Sequence, residues 1–256
     1  MSRRCLRLVL KFGSGILSNP QGNTLDRRQF ERLGREVAAL MRAGHECLIV
    51  SSGAVAAGMA ALGLRERPAG LPARQACAAV GQSQLMHRYA TVFARHNLAV
   101  AQLLLTHSDL DSRTRHANAC NTLERLFERR VVPVINENDS VAVEELNFGD
   151  NDRLSAEVAM LVRADELIIL TSVDGLLDAE GRVLPVVKDI ASVAPLVRGD
   201  IGRVSTGGMV TKLQAARLAV AAGIPVRIAS GRRPGQLAAI VAGRPAGTHF
   251  PAKKRR

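Results

Sequence analysis

Cys47-Leu48-Ile49-Val50-Ser51-Ser52-Gly53-Ala54-Val55-Ala56-Ala57-Gly58 passes from an unbroken apolar run, through two hydroxyl residues and a glycine, into small residues. An apolar run this short, closed by a turn signal, reads as a strand buried on both faces. The small residues after it let a helix pack closely and let a ligand approach the backbone, and Ser52 offers a hydroxyl. The unit is a strand that ends in a polar turn and opens into a helix. Its recurrence along the chain decides the fold class.

Towards the N-terminus, Leu6 to Phe12 is a second buried strand, ending in the tight turn Lys11-Phe12-Gly13-Ser14-Gly15. Asp26 to Gly44 reads as a helix, with Asp26 and Gln29 as a capping box and Phe30, Leu33, Val37, Leu40 and Met41 on one face. Towards the C-terminus, residues 59–75 are a connection rich in Pro, Gly and Arg, and a long helix runs from about Ala73 to His96. Further strands are expected at Leu98 to Leu105, Val131 to Ile135, Glu166 to Thr171 and Ile224 to Ala229. Pro133 must then sit where no ladder donor is needed. Helices are expected over Arg113 to Arg130, from Arg153 onward with Asn151 or Asp152 as N-cap, up to about Ala222, and briefly from Pro234 to Gly243. Val141 to Phe148 reads as an excursion of hairpin type and residues 177–204 as irregular. Strands alternating with helices predict an α/β fold around a largely parallel sheet.

The bulk composition agrees. The chain has 256 residues, 47% of them hydrophobic and 3% aromatic, so its core is built from Leu, Val, Ile and Ala. The net charge of +12 has no basic block interleaved with aromatics, which argues against a nucleic-acid stacking platform. The densest basic run, Lys253-Lys254-Arg255-Arg256, is terminal. Four cysteines, Cys5, Cys47, Cys77 and Cys120, stand far apart with no C-x-x-C spacing, which fits free thiols in a reducing compartment. Lys11 interrupts the N-terminal apolar run, so no signal peptide is expected, and no segment has the apolar length of a membrane span. The expected location is cytoplasmic.

In an open parallel sheet the C-terminal ends of the strands lie along one edge, where ligands bind. That edge would gather Lys11, Ser52, Asn138, Asp139, Asp150, Thr171 and the loop Thr206-Gly207-Gly208-Met209-Val210-Thr211-Lys212. The loop carries glycines, runs into a helix start and has a lysine one turn in, which suits phosphate, although it is not a P-loop. Asn136-Glu137-Asn138-Asp139-Ser140 holds more polar side chains than a turn needs. Asp150 has no capping duty and can order cationic groups or a metal. This inventory suits phosphoryl transfer, which needs positioning and cations more than a nucleophile. No histidine lies in these loops, which fits an acceptor that is already an anion.

Lys11-Phe12-Gly13-Ser14, Ser51 to Gly58, Val134-Ile135-Asn136-Glu137-Asn138-Asp139, Gly149-Asp150-Asn151-Asp152 and Gly207 to Lys212 occur in this order. Together they resemble the amino acid kinase family, in the branch whose acceptor is the side-chain carboxylate of glutamate. The resemblance implies an αβα sandwich with an open, mostly parallel eight-stranded sheet. It implies phosphorylation of L-glutamate by ATP with magnesium, feedback inhibition by proline, and a homo-oligomer, dimer or tetramer. Lys11 and Lys212 would stabilise the transferring phosphoryl, with Asp150 orienting both. Ser52, Asn138, Asp139 and Asn151 would bind glutamate. Lys11, Gly13, Thr171, Ser172 and Thr206 to Lys212 would bind ATP, with no dedicated protein metal site. Ser172 stands where the family often has Asp. A kinase domain over residues 1–250, a basic tail over 251–256 and no added PUA domain complete the expectation. Kinases of the same fold acting on acetylglutamate, aspartate or a nucleoside monophosphate are the alternatives, and Asp139 argues for an acceptor with a free α-ammonium.

Overall fold

The strand–turn–helix unit repeats across one open sheet in the computed structural model, which describes residues 4–142, 150–200 and 208–252 (for Asp150 and residues 198–200, the backbone alone). The first half comprises β1 (Arg7–Phe12), α1 (Ser14–Leu17), α2 (Arg27–Arg42), β2 (Glu46–Ser51), α3 (Ala54–Ala61), α4 (Leu71–Ala94), β3 (Val100–Leu105), α5 (His107–Asp111), α6 (Arg113–Glu128) and β4 (Val132–Glu137). The second comprises α7 (Asp150–Leu161), β5 (Glu166–Thr171), α8 (Ile190–Val193), a 3-10 turn (Ala194–Asp200), α9 (Met209–Ala221), β6 (Val226–Ser230), α10 (Gln236–Val241) and β7 (Thr248–Phe250).

The strands lie in the order β3-β4-β2-β1-β5-β6-β7, and all neighbours are parallel except β6 and β7. The described residues thus form a seven-stranded sheet, not the eight-stranded one expected. Of the hairpin excursion, only Val141 and Ala142 are described, and neither is a strand residue. β7 was missed in the sequence because three residues are too few to show a period. α1 was read as a turn for the same reason, and α5 was hidden by its brevity although Thr106 and Asp109 form a full capping box.

Alternation along the strands sorts the core into two layers. Val9, Leu48, Val50, Leu167 and Ile169 face α7 and α9, while Leu8, Leu10, Ile49, Ile168 and Leu170 face the layer of α2 and α4. Lys11 follows Val9 by two residues, so it projects from β1 toward α7 and α9. Pro133 is accommodated because Val132 N–H donates to Ala99 on the β3 side, whereas the β2 ladder begins only at Val134. Asp26 caps α2 by accepting from Arg28 and Gln29 N–H. The reciprocal half of the expected capping box is absent, because Asp26 N–H donates instead to the Leu17 carbonyl and Gln29 Oε1 accepts from Arg32 Nε.

α3 and α4 pack through glycine. A Cβ at Gly58 would fall on the Cys77 carbonyl, and one at Gly81 on the Ala54 carbonyl. This contact fixes α4 against the turn after β2, and therefore against the strand-end edge. Because the obstacle is backbone, it cannot move aside as a side chain would. Gly81→Ala is expected to destabilise the fold by about 3 kcal/mol, the upper range for overpacking. Denaturant unfolding measures it, and a loss below about 0.5 kcal/mol, within ordinary surface-substitution scatter, would contradict the packing described.

Candidate active site

At the C-terminal edge of the sheet, one carboxylate lies between two ammonium groups. Lys11 Nζ is 2.5 Å from Asp152 Oδ1, and Lys212 Nζ is 3.3 Å from Asp152 Oδ2. Asp152 is 0% exposed, Lys11 4% and Lys212 5%, so water contributes little to balancing these charges. The Thr211 hydroxyl completes the ring at 2.7 Å from Asp152 Oδ2 and 2.9 Å from the Gly208 carbonyl. Lys11 comes from β1, Asp152 from the first turn of α7, and Lys212 with Thr211 from the first turn of α9.

Burial pushes the Asp152 carboxyl up, but the Lys11 and Lys212 charges, with hydrogen bonds from Lys11 and Thr211, outweigh it and hold the group below its ordinary range. Burial also lowers the Lys212 ammonium; Asp152 pulls it back without fully restoring it, and the charge on Lys11 adds to the lowering. Two cations and one anion leave this trio with a net charge of +1, a local excess that suits an anionic ligand.

The sequence reading placed Asp150 between the lysines. The structure puts Asp152 there instead. Asp152 was read as an N-cap because α7 was expected to begin at Arg153. The helix in fact begins at Asp150. The side chain of Asp150 lies outside the described residues.

A polar cluster adjoins the trio. Asn151 Nδ2 donates to Ser52 Oγ (3.2 Å), to Asn136 Oδ1 (3.0 Å) and to the Ser51 carbonyl (3.3 Å). The two serines divide their roles by strand alternation. Ser51 turns its hydroxyl into the core, 2.7 Å from the Tyr89 hydroxyl, while Ser52 turns its own to the cluster. Asn138 and Asp139 are half-buried in the turn after β4, where Asn138 N–H donates to the Leu105 carbonyl (3.0 Å). Arg67 is near enough to Asp139 to feel its charge, against the lowering effects of burial and of Arg74.

The sequence pattern includes Asn136 in the polar run at the end of β4 without an individual role, and does not mark Gln82. Asn136 is 2% exposed at the end of β4 and donates to Gln82 Oε1 on α4 (2.9 Å). Asn136 could have been found, since a buried asparagine ending an apolar strand needs partners. Gln82 has no local signal.

The remaining expected positions form a neighbouring edge. Gly13 N–H donates to the Leu170 carbonyl (3.2 Å), and a Cβ at Gly13 would lie 3.6 Å from Lys11 Nζ, so the glycine keeps the approach to that ammonium clear. Thr171 is 8% exposed, and its carbonyl accepts from Gly231 N–H (2.7 Å). Ser172 is exposed beside Gly15. Gly208 caps α9, whose first residues are Met209, Val210, Thr211 and Lys212; Thr206 and Gly207 lie outside the described residues. His107, which follows β3, is engaged with Glu157 at 2.7 Å.

Among the described residues, no three His, Cys, Asp or Glu side chains converge to hold a metal. The donors described at this edge are lysines, amides and hydroxyls around the Asp152 carboxylate, with Glu137 and Asp139 at the end of β4 and in the turn after it.

Residues 6–230 match the profile of the amino acid kinase family. A glutamate 5-kinase of Carboxydothermus hydrogenoformans is 49% identical over 257 residues, which cover 98% of this chain and 69% of the relative. A glutamate 5-kinase of Moorella thermoacetica is 48% identical, with 98% of this chain and 68% of the relative covered. The chain therefore spans about two thirds of these relatives' length. A solved carbamate kinase from Giardia lamblia, bound to AMP-PNP, aligns with a TM-score of 0.64 over 99% of this chain and 100% of its own, at 16% identity; likeness at that identity speaks for the fold alone.

The trio also makes a stability prediction. A carboxyl held below its unfolded range adds stability that is fully present above the unfolded pKa and is lost as pH falls through the folded one. Asp152→Asn leaves two buried ammonium groups uncompensated, at a cost of about 3 kcal/mol near neutral pH. The gap from wild type should shrink as pH drops below about 4. Urea unfolding at several pH values checks this, and a gap that stays constant with pH would contradict it.

Proposed function

Because the chain belongs to the amino acid kinase family, we propose that it transfers the γ-phosphoryl group of ATP to the γ-carboxylate of L-glutamate. The product is γ-glutamyl phosphate, in the first step of proline biosynthesis. The observation that carries this reading is the Lys11–Asp152–Lys212 trio, buried beside the Ser52–Asn151 cluster.

The reaction forms a bond between a carboxylate oxygen and the γ-phosphorus and breaks the bond to the β-phosphate bridging oxygen, so that ADP leaves. A carboxylate with a pKa of about 4 is ionised at neutral pH and needs no base. What the protein must supply is position and compensating charge. Lys11 and Lys212 oppose the negative charge on the transferring group, in a site where water does not screen them. Asp152 does not touch substrate in this reading. It holds the two ammonium groups at a set separation, so that they need not reorganise as the phosphoryl moves.

Ser52, Asn138, Asp139 and Asn151 take the glutamate side. A carboxylate at Asp139 suits the α-ammonium, and the hydroxyl and amides suit oxygen atoms. Gly13, Thr171, Ser172 and the loop from Thr206 to Lys212 take the ATP side, where the start of α9 faces anionic phosphates. Lys11, Lys212 and the start of α9 would hold the phosphates with which magnesium arrives, and the metal would supply neutralisation of part of their charge. Ser172 keeps a hydroxyl where the family often has a carboxylate, so nucleotide binding here relies on hydrogen bonding at that point. A cytoplasmic location, feedback inhibition by proline and a homo-oligomer belong to the same reading.

A substrate panel with ATP and magnesium, with the acyl phosphate trapped by hydroxylamine, tests the acceptor. L-glutamate is expected to give hydroxamate and ADP, whereas N-acetylglutamate, aspartate and UMP are not turned over efficiently. Turnover of UMP with none of glutamate would overturn the reading. In the same assay Lys212→Ala is expected to lower kcat by about a hundredfold or more, the scale of losing one preorganised charge-stabilising group. Glutamate affinity should survive, and near-normal kcat would remove Lys212 from the catalytic role.

A further inference from the structure

Three side-chain amides run in a chain from α7 to α4, and their polarity is set by the backbone. Glu137 N–H donates to Asn136 Oδ1 (3.0 Å), so that atom is an acceptor and the Asn136 Nδ2 is the donor that reaches Gln82 Oε1 (2.9 Å). At the other end, Asn151 Nδ2 donates to the Ser51 carbonyl (3.3 Å) and to Asn136 Oδ1 (3.0 Å). With Asn151 and Asn136 each pinned by a main-chain group of known polarity, and Gln82 held by the Asn136 donor, no amide in the chain can be reversed without losing a hydrogen bond.

Two atoms are left over. Asn151 Oδ1 and Gln82 Nε2 are both buried, and neither has a hydrogen-bond partner among the described residues. One is an acceptor and the other a donor. A buried polar atom left without a partner costs free energy, so such atoms at a site edge mark where a ligand's polar groups belong. The two ends also differ in position. Asn151 precedes Asp152, which holds Lys11 and Lys212, so its end is next to the phosphoryl. Gln82 lies two amides further out, on α4, held against the β2 turn by the Gly81–Ala54 contact.

We propose that Gln82 is a specificity-determining residue of the acceptor site, its Nε2 donating to the α-carboxylate of the amino acid whose γ-carboxylate lies at the lysines. This rests on the functional reading above. Gln82 Oε1 accepts from Asn136 Nδ2, which leaves Nε2 as the amide's free donor. One residue thereby closes the amide chain and offers a donor to the far end of the substrate.

Initial-rate kinetics on the full chain, with wild type, Gln82→Ala and Gln82→Glu, test the assignment. Gln82→Glu is isosteric and keeps an acceptor for Asn136, but it replaces the Nε2 donor with an anionic oxygen. Gln82→Ala removes both functions. The KM for L-glutamate is expected to rise about tenfold in Gln82→Ala, the scale of a hydrogen bond to a charged group, and further in Gln82→Glu. The KM for ATP should be unchanged, and kcat should stay within about threefold of wild type, since nothing here touches the phosphoryl. A merely structural amide gives the reverse order, with Gln82→Glu near wild type and Gln82→Ala impaired, and that order overturns the proposal. If Gln82→Ala does not fold, the comparison of Gln82→Glu with wild type decides. A KM increase above about fivefold, near 1 kcal/mol, supports the proposal, and a smaller one overturns it. Absence of glutamate turnover by the wild type would overturn the functional reading along with this inference, whereas turnover with an unmoved KM in Gln82→Glu overturns the inference alone.

Discussion

Asp152 has no exposure to solvent, so the chain itself must balance its charge. That requirement ties together three distant parts of the sequence. Lys11 reaches Asp152 because β1 is central and alternation turns the residue two after Val9 toward α7. Lys212 reaches it because α9 packs beside α7 and begins at the same edge of the sheet. A buried ion pair is weak as a source of stability, and an apolar trio of similar volume would often do as well. What apolar residues could not provide is a fixed excess of positive charge in a place closed to water. The arrangement makes sense as preorganisation for an anionic reacting group.

The acceptor side follows a different principle. Ser52, Asn136, Asn151 and Gln82 are neutral, and their hydrogen bonds form a directed chain anchored on the main chain at Asn151 and Asn136. Charge at the lysines supplies attraction without much shape, while amides with a set polarity supply orientation. The close approach of α3 and α4 at Gly58 and Gly81 links this polar chain to the core, since it places Gln82 at the strand-end edge.

Much of this was legible in the sequence. The apolar runs at Leu8 to Leu10, Cys47 to Val50 and Leu167 to Leu170 are strands buried on both faces, and each ends in the turn the residue pattern indicates. Lys11, Ser52, Asn151 and Lys212 do gather at one edge. The shift from Asp150 to Asp152 came from a helix boundary. In Gly-Asp-Asn-Asp the choice of facing carboxylate depends on where the first turn starts, and neither periodicity nor capping preference resolves two residues there. Gln82 was out of reach for another reason. It sits in a helix whose polar and apolar residues give little pattern, and its role arises only when α4 is placed beside β4. Short elements such as α1 and β7 were lost because a period cannot be read from three or four residues.

The central claim is that Asp152, by holding Lys11 and Lys212 together, makes the phosphoryl-transfer centre. The most direct test is the single-turnover rate of phosphoryl transfer from ATP to L-glutamate in Asp152→Asn, measured with both substrates bound and with their dissociation constants determined separately. The account predicts a rate at least about a hundredfold below wild type, the scale of lost electrostatic preorganisation, with both dissociation constants little changed. A rate within about threefold of wild type, under 1 kcal/mol of barrier, would contradict it.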